Sequence, residues 1–149
     1  MAIFIGIDPG ESTGMAIWDS KAHHLVRVET LQLWEAMEAV LALQAECKEV
    51  NRPLRVIFED ARQRKWFQKE SSNSEYRGKL MGAGAAKRDA KIWEEFLTAK
   101  GILFEAVKPA PGRTKWNAEY WSLVTGWKGR TSEHARDAAL LVFGKYERQ

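Results

Sequence analysis

The chain has 149 residues, 45% of them hydrophobic, a net charge of +3 and an isoelectric point near 9.0. That length holds one domain, residues 1–149, with a proper core, and no apolar run is long enough to span a bilayer or is built as a secretion signal. A single cysteine, Cys47, excludes an internal disulfide, so a soluble cytoplasmic protein is expected, and the basic balance hints at a polyanionic partner.

The first apolar run, Ile3-Phe4-Ile5-Gly6-Ile7, delivers a carboxylate, Asp8, into a Pro9-Gly10 turn, and a second apolar run resumes at Met15. The pattern is a β-hairpin. Asp8 at the end of a buried strand either caps the turn or asks for a positive partner, of which a divalent metal is the obvious one. Residues 19–24 form a second turn whose His23 and His24 read as solvated, having no acidic or cysteine neighbour in sequence. Leu25–Leu31 alternates as a third strand with Val26 and Val28 on one face. Trp34, Met37, Val40 and Leu41 follow helical spacing from Leu33 to Val50, and Asn51-Arg52-Pro53 stops that helix, with Cys47 a small core residue in its last turn.

Leu54–Asp60 repeats the form of the first strand, a short apolar run ending in a carboxylate, Glu59. The helix before it implies a crossover, hence a strand parallel to an earlier one, which brings Glu59 beside Asp8 at one edge of the sheet. Asp60 then faces the opposite side and is structural. Residues 61–91 carry nine basic residues against three acidic, and their small-residue run Gly82-Ala83-Gly84-Ala85-Ala86 reads as mobile or closely packed. A helix is predicted over Lys87–Lys100, with Gly101 as its C-cap, then a fifth strand over Ile102–Val107. Two helices close the chain, Trp116–Thr125 and Thr131–Phe143, the second capped by Thr131 or Ser132. The fold class is α/β, a five-stranded mixed sheet flanked by helices.

His134 and Asp137 stand at i and i+3 and so share one face of the last helix's first turn. They read either as a solvated helix start or as a third contribution to the Asp8–Glu59 edge; an imidazolium is disfavoured at a helix N-terminus, a neutral ligand or base is not. Glu133 points about 100° away and serves the cap. Three carboxylates share a pocket only with cations between them. Two Mg²⁺ ions, with Mn²⁺ as a substitute, would satisfy them and serve an in-line phosphoryl displacement. Zinc is not supported, since no Cys/His set is present.

Gly6-Ile7-Asp8-Pro9-Gly10-Glu11-Ser12-Thr13-Gly14, Phe58-Glu59-Asp60 and His134-Ala135-Arg136-Asp137-Ala138, in that order, resemble the RuvC family of Holliday junction resolvases, within the RNase H-like superfamily. The closing His-x-x-Asp is similar to variants in that family and in the RuvC-like nuclease domain of CRISPR effectors; other members have Asp where this chain has His134. The chain is shorter than typical bacterial members and its middle matches poorly, as in a compact, phage-type member. The resemblance implies an RNase H-like fold and a homodimer that cuts a four-way DNA junction with Mg²⁺. It also implies that Asp8 bridges both ions, Glu59 holds one, Asp137 holds the other, and His134 either ligates the second or orients the attacking water.

Arg62, Arg64, Lys65, Trp66, Phe67 and Lys69 follow directly after Glu59 and suit phosphate contacts with base stacking. Lys87, Arg88, Arg113, Lys115, Lys128 and Arg130 extend that path, with Trp127 a loop-tip contact and Trp116 and Trp121 in the helix core. Rival readings are another RNase H-like nuclease acting on flaps, branched DNA or RNA (YqgF-like), and a junction-binding module without catalysis. Against the module stands the acidic set, which binding alone does not need. A sugar-kinase or actin-type ATPase shares the hairpin pattern but needs two such domains.

Overall fold

The structure, a computed structural model, describes residues 1–64, 74–109 and 116–146. Five strands form one sheet, β1 (Ile3–Asp8), β2 (Ser12–Asp19), β3 (His24–Gln32), β4 (Leu54–Glu59) and β5 (Leu103–Val107), in the spatial order β3-β2-β1-β4-β5. β1 pairs antiparallel with β2 and parallel with β4; β2–β3 is antiparallel and β4–β5 parallel. The helices are α1 (Leu33–Glu49), α2 (Ser74–Ala99), α3 (Ala118–Thr125) and α4 (Glu133–Val142), and a single 3₁₀ turn spans Ala61–Gln63.

β1 is central and apolar on both sides, so it feeds two cores. Ile3, Ile5 and Ile7 face one side with Met15, Val56 and Phe58, covered by Ala36, Val40 and Cys47 of α1 and Ala90, Trp93 and Leu97 of α2. Phe4 faces the other side with Ala16, Trp18 and Ile57, covered by Trp121 of α3 and Ala135, Ala138, Ala139 and Val142 of α4. The period-2 alternation therefore decides which face each strand-end residue takes. Asp8 and Glu59 follow Phe4 and Ile57 onto the α4 side. Asp60 goes to the α2 side.

The hairpin, the parallel β1–β4 pairing and the core position of Cys47 agree with the sequence. The N-cap of α4 is Ser132, whose side chain accepts the Ala135 N–H at 3.1 Å. Other expectations are corrected. The helix predicted over 87–100 begins at Ser74 and includes Gly82–Ala86. Its Ala residues are the strongest helix formers and its C-terminal half is anchored in the core, which outweighs about 1 kcal/mol per interior glycine. That small-residue run is not closely packed: a Cβ at Gly82 or Gly84 would meet nothing within 4 Å.

On β3, Leu25 and Val28 are buried while Val26 is exposed, because a bulge opposite Ile17–Trp18 shifts the register. Trp34 is not a core residue; it is 56% exposed, and the buried stripe of α1 is Ala36, Val40 and Cys47. Trp116 lies just before α3, partly buried, and Trp127 is partly buried against the second core, not a loop-tip contact. His23 closes the turn between β2 and β3 and His24 opens β3, at the end of the sheet opposite Asp8, where the His23 ring meets Trp18 edge-on. Among the described residues, no helix is long and apolar enough to cross a membrane.

Candidate active site

The site begins with the hairpin. Asp8 closes β1 opposite Gly14 of β2, and Thr13, fully buried, donates its hydroxyl to Gly10 O at 2.8 Å. That hydroxyl ties the turn down locally, a task Asp8 was one candidate to perform. The Asp8 carboxylate instead reaches out of the strand: its Oδ2 lies 3.0 Å from His134 Nδ1, across 126 residues of sequence. With Asp8 ionised, Nδ1 carries the proton and donates it to the carboxylate, leaving Nε2 as the second functional nitrogen.

Two glycines make that approach possible. A Cβ on Gly6 would lie 2.1 Å from the Ala138 carbonyl oxygen, and a Cβ on Gly14 would lie 2.0 Å from that of His134. Neither distance is physically available, so only glycine lets the α4 backbone lie directly on β1 and β2. Ala135, Ala138 and Ala139 keep the helix side of this contact equally shallow. The helix start is tied sideways as well. Ser132 shares a short hydrogen bond with the Thr30 hydroxyl of β3, and Arg136 donates to Thr131 O at 2.8 Å.

Glu59 stands on β4 one residue past the Ile7–Phe58 pair, beside Asp8 at the same end of the sheet. Asp137 follows His134 by one turn of α4. The electrostatics register all of them. The Asp8 carboxyl is pushed up from its ordinary 3.8 to about 6. Burial is the largest cause; the His134 hydrogen bond opposes it, and the negative charges of Glu59 and Asp137 push further upward. Asp8 is thus an enclosed acid crowded by two others, with a more exposed imidazole at its edge, the side chains being 15% and 55% exposed. Among the described residues, no three acidic, His or Cys side chains are drawn together closely enough to hold one ion as they stand. The donors themselves, carboxylate oxygens with one imidazole, are of the type that suits Mg²⁺ or Mn²⁺.

Asp60 is structural. It is buried, accepts the Arg62 backbone N–H, and is gripped by the Arg62 guanidinium at 2.9 and 3.0 Å. Arg62 also reaches Glu94 of α2 at 2.5 Å. Arg62 is therefore engaged in an internal ion-pair network, with its side chain 30% exposed. Lys87 and Arg88 are exposed on α2, and Lys128 and Arg130 are exposed in the segment leading to α4. Arg64 is exposed at the end of the first described stretch, while Lys65, Trp66, Phe67, Lys69, Arg113 and Lys115 lie outside the described residues.

Sequence reasoning found the acids and missed what brings them together. Gly6 and Gly14 were visible as glycines inside apolar strands, a signal of close backbone approach. No protein-family model matches the chain, and no curated protein sequence matches it.

Proposed function

We propose that the chain is a metal-dependent, structure-selective endonuclease with an RNase H-like fold, acting as a homodimer in the cytoplasm on branched DNA, the four-way junction foremost. The strand order and the mixed pairing are compatible with that fold. The observation that carries the reading is Asp8, a carboxyl raised to about 6 by burial and by Glu59 and Asp137, and held at 3.0 Å by His134. A structural acid at a strand end has no use for two further acids. Such perturbed groups gather where chemistry is done.

Asp8, Glu59 and Asp137 are the residues that would hold two Mg²⁺ or Mn²⁺ ions. When bound, those ions supply the positive charge that in-line displacement at a phosphodiester requires on its attacking and leaving oxygens. The protein's own groups do the rest. The Asp8–His134 hydrogen bond fixes the imidazole and leaves Nε2 to orient the attacking water and take its proton. The glycine-backed contact between α4 and the hairpin holds Asp137 and His134 in register with Asp8. Lys87, Arg88, Lys128 and Arg130, with the basic and aromatic residues at 64–69 and at 113 and 115, would contact phosphates and bases.

The test is incubation of the purified protein with a synthetic four-way junction, a flap, a duplex and an RNA–DNA hybrid, with Mg²⁺, with Mn²⁺, and with chelator. Symmetric nicks in the junction that vanish with chelator are expected. Preference for the hybrid or the flap would reassign the substrate within the same chemistry. No metal-dependent cleavage of any of them would refute the reading.

A further inference from the structure

We infer that Trp34 is a stacking platform for an unpaired nucleobase at the rim of the candidate site, with Arg88 receiving a phosphate of the same strand. The inference rests on the nuclease reading and adds a strand path that the acids do not define. Among the described residues, Trp34 is the tryptophan whose surface lies mostly outside, at 56% exposure, whereas Trp18, Trp93 and Trp121 are buried. Its ring is nevertheless tethered at one edge. The indole Nε1 donates to Gln32 Oε1 at 2.6 Å, and the Gln32 backbone N–H donates to Glu35 Oε2 at 3.1 Å.

An exposed aromatic that is already ordered offers a flat apolar face with little rotamer entropy left to lose on binding. Its position suits a strand at the site. Gln32 pairs with Ser12 at the end of β3, so Trp34 rises from the same end of the sheet as Asp8. Beside it, Gly10 and Glu11 of the hairpin turn, Gln32, and Arg88 and Asp89 of α2 line an open crevice of about 440 Å³. The charges there orient a polyanion. Arg88 is 69% exposed and meets Asp89 at 3.5 Å, while the exposed Glu11 on the other bank repels phosphate. The backbone of a bound strand would run along Arg88 and turn its base towards the indole.

Binding of labelled oligothymidylate and of an abasic strand of equal length, measured without divalent cations, tests this. Trp34→Ala is expected to weaken oligothymidylate binding roughly five- to hundredfold with no change in salt slope, and to leave the abasic strand unaffected. Trp34→Phe should recover most of the loss, and Arg88→Gln should lower the salt slope by about 1 on both strands. Equal losses on the two strands, or wild-type affinity in Trp34→Ala from a protein that still cuts branched DNA, would overturn the platform alone. A wild-type protein that binds neither strand and cuts nothing would overturn the nuclease reading and the platform together.

Discussion

Asp8 and Asp60 stand at the ends of neighbouring strands of one sheet, turn to opposite faces, and meet opposite electrostatic fates. On the α2 side, Asp60 is matched by Arg62, whose hydrogen bonds hold its carboxyl below the usual range. On the α4 side, Asp8 is enclosed beside His134 alone, among the described residues, as an opposing partner, and burial, with Glu59 and Asp137, pushes it to about 6. A buried acid left so costs stability, and a fold that needed Asp8 only for structure would have supplied it an arginine, as it did for Asp60. The contrast separates an acid that serves the fold from one that serves chemistry.

The comparison is tested most severely at Asp8 itself. Asp8→Asn is expected to abolish metal-dependent cleavage, a loss beyond the roughly 10–100-fold that removing an outer partner of a metal ligand costs, while junction binding is kept or improved. Cleavage assays beside binding titrations check it, and loss of both together would make Asp8 a folding residue.

The same substitution should stabilise the metal-free protein. Because the folded carboxyl is raised from 3.8 to about 6, ionising Asp8 costs stability that accrues as pH rises through that interval and stays constant above it. The gain in Asp8→Asn should reach on the order of 3 kcal/mol at pH 7–8 and vanish below about pH 4. Thermal melts across pH read this directly.

The glycine-backed contact gives a third lever. Gly14→Ala should cost roughly 1–3 kcal/mol or more and also impair cleavage, because the new methyl displaces His134 from Asp8. By contrast, Gly84→Ala in α2, where a Cβ meets nothing within 4 Å, should stabilise by about 0.5–1 kcal/mol. Denaturant midpoints of the two variants supply the check.

The last lever acts on the other acid. Arg62→Ala should destabilise by about 1–3 kcal/mol by leaving Asp60 buried without its guanidinium partner, with metal dependence unchanged. Asp60 is held below its ordinary 3.8, so its contribution is present above that pH and fades as pH falls through the folded value. The deficit of Arg62→Ala should shrink accordingly in acid melts.

Much of the fold was legible because β1 and β4 each end an apolar run in a carboxylate, and the intervening helix forces them parallel. The i, i+3 spacing of His134 and Asp137 was legible for a similar reason, being local geometry. What escaped were facts set by tertiary contact. Nothing in the sequence shows that Arg62 turns back onto Asp60 and Glu94 instead of facing solvent. The extension of α2 to Ser74 depends on anchorage of its far end, against glycines that read as a break. Trp34 keeps helical spacing with Met37 and Leu41, yet the buried stripe runs through Ala36 and Val40, which local periodicity does not distinguish.

The most direct measurement is calorimetric titration of the purified protein with Mn²⁺ at neutral pH, wild type beside Asp8→Asn and Arg62→Ala. If the three acids share cations, the wild type and Arg62→Ala bind Mn²⁺ and Asp8→Asn loses that binding. Equal Mn²⁺ binding by Asp8→Asn and the wild type, or no binding by the wild type at millimolar Mn²⁺, would contradict the account.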